Sequence, residues 1–162
     1  MSAERKLLIF GGIALAAFGM LYGLHYAVFV EHQTLDRLGG SLAEAFVHGA
    51  QRRMSEAHND VAEYGTTRYA YLRQVDVHSH WIGLAMLMIV LGMVFHKVAF
   101  GESTRLVIAL ALLVGSVMFP LGVILQTVSH GSTFASAVAI MGSGLVIAAL
   151  AAIAVGFARQ GA

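Results

Sequence analysis

The chain has 162 residues, of which 58% are hydrophobic and 12% charged, with a net charge of +1. A soluble domain carries about 25% charged and about 45–50% apolar residues, so this composition points to lipid as the solvent. The near-zero net charge gives no basic surface for nucleic acid, and the absence of cysteine excludes disulfides, iron–sulfur clusters and thiolate metal sites.

Four apolar stretches, residues 7–30, 77–96, 106–128 and 134–158, contain no Asp, Glu, Lys or Arg. About 20 apolar residues at 1.5 Å per residue cross a hydrocarbon core, and inside lipid the backbone must satisfy itself, so each is expected to be a membrane helix. The first follows Arg5-Lys6, as a signal peptide would. Its length and the lack of a small-residue cleavage site favour a retained helix. It carries Gly19-x-x-x-Gly23, a spacing that suits close helix contact.

Residues 31–76 form the only sizeable polar segment. Ser41-x-x-Glu44 reads as a capping box opening a helix, and Leu42, Phe46, Ala50, Met54, His58 and Val61 continue it at amphipathic spacing. Gly65-Thr66-Thr67 is expected to break that helix, with Thr66 or Thr67 capping a second one that runs through Tyr69, Tyr71 and Leu72 into the second span. Tyr64, Tyr69, Tyr71 and Trp81 fall where interfacial aromatic belts belong.

In the third span Pro120 removes a backbone hydrogen bond, which predicts a kink near Ser116. The fourth is lined by Ala135, Ala139, Gly142, Ala149, Ala152 and Gly156, small enough for close packing. Arg5, Lys6, Lys97, Arg105 and Arg159 fall on the side shared by both termini. Arg37, Arg52, Arg53, Arg68 and Arg73 fall on the other side, among seven acids. The short-segment bias places both termini in the cytoplasm, in a bacterial inner membrane. The expected fold is an all-α integral membrane four-helix bundle, one domain over 1–162, with an amphipathic extramembrane helical segment between its first two spans.

Chemistry is sought among the eight histidines. His25, His32, His78, His80 and His130 fall near the outer ends of three spans, while His96 falls on the opposite side. Imidazole ligates haem iron, copper and zinc, and ionisable groups at membrane depth mark cofactors or proton paths. A bis-histidine haem b needs ligands from facing helices at one depth, and His78 with His130, or His25 with either, are the pairs on offer. His78 and His80 point about 200° apart, so one of them serves, with His78 favoured as the inward ligand. Asp76 stands one turn before His80, Gln74 before His78 and Gln126 before His130, each placed to orient an imidazole. His48 is expected to pair with Glu44 on a solvated face. Each histidine taken singly also reads as an ordinary interfacial polar residue.

The stretch Val77-His78-Ser79-His80-Trp81-Ile82-Gly83-Leu84-Ala85-Met86 resembles the haem-ligating helix of haem–copper oxidase main subunits and their short four-helix relatives. The resemblance covers residues 77–92 and implies that His78 or His80 ligates a haem. The residues of a copper centre are not recognisable, so oxygen reduction is not implied.

Three functions are expected in turn. The leading one is a haem b protein transferring electrons, partnered by a quinol pool or a larger respiratory complex. The second is a copper, zinc or non-haem iron site built from His32, His78, His80 and His130 with Asp76 or Glu31. The third is a structural or assembly subunit without a cofactor. Glycine-lined faces further suggest a homo-oligomer or a subunit of a membrane complex in the bilayer.

Overall fold

A computed structural model describes residues 1–129 and 132–161. Among them the chain is all-helical, in the order α1 (Ala3–Phe29), α2 (Glu31–Ala50), α3 (Met54–Val94), a 3₁₀ turn (Phe95–Lys97), α4 (Glu102–Val128) and α5 (Thr133–Ala158), with a closing 3₁₀ turn (Arg159–Gly161). Helices α1, α4 and α5, together with the helical run 54–97, are long and apolar enough to cross a membrane. Two compact units divide the chain, residues 1–20 with 77–162, and residues 21–76.

In the larger unit α1 lies on α3 through glycines. A Cβ on Gly12 would stand 2.9 Å from the Ala85 carbonyl oxygen, one on Gly19 3.0 Å from Cβ of Trp81, and one on Gly92 3.2 Å from Cβ of Leu8. The buried face of α3 runs Val77, Trp81, Ala85, Met88, Gly92. That spacing of three and four residues keeps one stripe turned to its neighbour. Arg5 closes the end of α3, its Nε donating to the Gly92 carbonyl at 3.2 Å and its Nη2 to that of Met93 at 3.3 Å. The last carbonyls of a helix lack internal partners, and a cation is the natural cap for them.

Helices α4 and α5 pack more closely still. The buried residues of α5 are Ala135, Ala139, Gly142, Val146, Ala149, Ile153 and Gly156, alternating steps of four and three. That is the seven-residue repeat of a left-handed helix pair, built here largely from small residues. A Cβ on Gly122 would lie 2.6 Å from Cα of Ala139, and one on Gly142 2.8 Å from Cα of Phe119. Ala152, expected on this seam, sits at its edge, while Val146 and Ile153 supply the bulk. Helix α4 continues through Pro120, which is fully buried. Ser132 caps α5 by accepting the Ala135 amide at 3.2 Å.

The smaller unit is a helical hairpin. Its two strands of helix run antiparallel about a turn at Gln51–Arg53, where Arg52 takes a left-handed φ of 59°. Two expectations fail here. Ser41 opens no helix, because α2 already begins at Glu31; its hydroxyl donates to the Leu38 carbonyl at 3.3 Å. Gly65-Thr66-Thr67 breaks nothing, since α3 is continuous from Met54, and Thr66 donates to the Ala62 carbonyl at 3.0 Å. A hydroxyl that bonds back to its own helix ceases to compete with the backbone, so both motifs lose their stop-and-start meaning. The break lies instead at 51–53, inside the stretch read as one amphipathic helix.

Candidate functional site

The α3 histidines stand at the start of the apolar part of that helix. His78 is half-buried, and its Nδ1 lies 2.9 Å from the Gly19 carbonyl oxygen of α1. A carbonyl only accepts, so Nδ1 carries the proton and donates. In the neutral ring this leaves the lone pair on Nε2. Gly19 permits the bond, because the close approach of α1 at this point leaves little room for a side chain. Gln74, expected to orient His78, is not its partner, and the Gln74 Oε1 is buried without a hydrogen bond.

His80 points elsewhere. Its ring meets Phe119 of α4 edge-on, with centroids 4.7 Å apart. It opens on a groove of about 290 Å³ lined by Ser79, Gly83, Leu84 and Leu87. Trp81, next after His80 in sequence, is 1% exposed and meets Phe18 of α1 edge-on at 4.9 Å. It belongs to the core seam, and the expectation of an interfacial belt fails for it. The signal was present in the four-residue step from Val77 to Trp81 to Ala85. Above Trp81, between α1 and α4, lies an apolar cavity of about 410 Å³ bordered by Gly11, Leu15, Phe18, Leu113 and Val117. No titratable side chain lines it, so it offers burial and no ligation.

The remaining site residues fall as follows. His25 is exposed, its ring 5.4 Å from that of Phe29. His32 belongs to the next helix, because α1 ends at Phe29 and α2 begins at Glu31 after a break at Val30; it pairs with Asp36 at 3.3 Å in the open. Glu31 accepts the Tyr71 hydroxyl at 3.1 Å. That bond is lost when the phenol ionises, so it raises the Tyr71 pKa above 10.0, with burial and the Glu31 charge acting in the same sense. Asp76 is exposed. Gln126, expected to orient His130, donates to the Ser136 hydroxyl at 3.1 Å. His130 itself lies outside the described residues.

His48 differs from its expected pairing with Glu44. Its Nδ1 lies 2.7 Å from Asp60 and its Nε2 3.6 Å from Glu56, both across the hairpin turn, and Arg53 also pairs with Glu56. The helical spacing that suggested Glu44 is local, whereas the turn at 51–53 brings two acids from α3 to the ring.

Among the described residues, no three histidine or carboxylate side chains gather where they could hold a metal ion. One imidazole, His78, is held with a nitrogen lone pair left over by a bond to a backbone carbonyl. Metal-ligating histidines use that same arrangement. No family model, curated protein or solved structure matches the chain.

Proposed function

We propose that this chain is an integral membrane protein that holds one haem b through His78 and passes electrons within the bilayer, in a quinol-linked respiratory complex. The observation that carries the reading is the His78–Gly19 bond. It fixes the ring's tautomer and orientation at the entry to the apolar part of α3, and it presents Nε2 as the coordinating nitrogen. His130 is proposed as the second histidine that would hold it. A haem held by two histidines would supply reversible one-electron reduction, which favours electron transfer over oxygen chemistry. The protein's own part is to orient the ring, which the bond to Gly19 on the closely approaching α1 backbone does. Four apolar helices support the bilayer as the setting, and the arginine and lysine distribution supports cytoplasmic termini.

The test is the visible spectrum of purified protein before and after dithionite reduction. A Soret band with sharp α and β bands is expected. It should be lost in His78→Ala and in His130→Ala, and kept in His80→Ala. A colourless protein, or bands that survive His78→Ala, overturns the proposal and leaves His78 as a polar staple between α1 and α3.

A further inference from the structure

The apolar cavity above Trp81 belongs wholly to the larger unit, and three helices enclose it. Its floor is Leu15 of α1 and Trp81 of α3, 6% and 1% exposed. Leu113 and Val117 of α4 form a half-buried wall, and exposed Ala14, Phe18 and Leu121 form the rim. Helices α1 and α4 touch at one end of it, where a Cβ on Gly11 would stand 2.9 Å from Cδ1 of Leu113. Nearer their starts the same two helices are joined by Glu4 and Arg105. Beyond that contact they leave a slot that neither fills, because Gly11 and Ala14 carry too little side chain to reach across it.

The shape of the slot selects its occupant. The lining runs from Gly11 to Phe18 along α1 and from Leu113 to Leu121 along α4, about 10–12 Å of each helix. A volume of about 410 Å³ over that length leaves a section of roughly 40 Å². A helix with its side chains is about 10–12 Å across, a section of roughly 100 Å², so no helix of another chain enters. Water gains nothing there, since an apolar cavity stays dry. A polar molecule would give up its hydrogen bonds, because no titratable or hydroxyl side chain lines the slot. A slender hydrocarbon chain fits, lying along the helices in the direction that bilayer chains run.

We infer that the slot holds one acyl chain of a bilayer phospholipid, resident between α1 and α4 and reaching the buried face of Trp81. Between helices in lipid, contact depends on van der Waals fit, and an unfilled gap forfeits it for the atoms of the lining. A chain in the slot restores that contact where the side chains of α1 and α4 stop short. The tail of a quinone has the same apolar chemistry, but its ring needs hydrogen-bond partners, and the lining offers no hydroxyl, carboxylate or imidazole for them. A phospholipid keeps its headgroup at the membrane surface and needs none here. The inference rests on the bilayer setting of the proposed function and is independent of its haem.

The test is photolabelling of the full chain in vesicles of phosphatidylcholine that carries a diazirine in one acyl chain, with labelled residues read by mass spectrometry of peptides. Exposed Phe10 and Ile140 are expected to be labelled by the surrounding lipid. Leu15 and Trp81 are expected to be labelled as well, although buried, and Phe95, fully buried outside the slot, is not. Ala14→Leu fills the slot from its rim and Val117→Phe from its wall. Each is expected to abolish labelling at Leu15 and Trp81 and to keep it at Phe10 and Ile140, with helical circular dichroism confirming the fold. Unlabelled Leu15 and Trp81 beside labelled Phe10 and Ile140 would overturn the inference alone, as would Phe95 labelled as strongly as Trp81. Labelling at the floor that persists in a folded, filled variant would overturn it too. Loss of floor labelling on adding a prenylquinone as a minor component would give the slot to the quinone instead. No label at Phe10 or Ile140 would defeat the bilayer setting itself, and the inference with it.

Discussion

Glu4 is 3% exposed at the start of α1, and its Oε1 lies 3.3 Å from Nε of Arg105 on α4, off the line of a hydrogen bond. The pair is ionic, held between two helix ends. Removing one member of a buried pair strands the other charge. Arg105→Ala should therefore destabilise the protein by about 3–5 kcal/mol, and Glu4→Gln combined with Arg105→Met should recover most of that loss. Thermal unfolding of the three proteins in one detergent checks both statements; equal melting of wild type and Arg105→Ala would refute the first. The lysine and arginine pattern put Arg105 on the side shared by both termini. It gave no sign of a contact with Glu4, because their 101-residue separation closes only through packing of α1 against α4.

At the scale of elements, α4 and α5 are held by the absence of side chains. With no hydrophobic drive between helices in lipid, contact depends on van der Waals fit, and a methyl group at the crossing forces the backbones apart. Gly122→Ala and Gly142→Ala each set a Cβ against partner backbone. Each should cost about 1–3 kcal/mol. Gly144→Ala meets nothing within 4 Å and should be neutral or slightly stabilising in the same melting assay. Comparable losses at all three positions would mean that crowding at the α4–α5 seam does not set the effect, since helix propensity alone favours alanine at each. The small-residue pattern of α5 was legible beforehand because it repeats along one face. The position of the hairpin turn was not. Gly65, Thr66 and Thr67 carry stronger local break signals than Gln51-Arg52-Arg53, yet the chain turns at the latter, where His48 and Arg53 meet the acids of α3.

For the whole molecule, four helices with the length and apolarity to cross a bilayer accompany a hairpin whose buried content is nearly nil. The protein should stay in the pellet when membranes are washed with alkaline carbonate, and release into the supernatant would exclude a spanning arrangement. Length and composition sufficed for the class, the number of long apolar helices and their limits to within a few residues at most ends. These depend on solvent and on backbone hydrogen bonding, which every residue in a stretch reports together. The direction of individual side chains was a different matter. That His78 gives its Nδ1 proton to Gly19, that Trp81 enters the core, and that His48 meets Asp60 all depend on which helix lies alongside. Such contacts join residues distant in the chain, and a single helix's periodicity carries no information about its neighbour. The tertiary structure alone decided them.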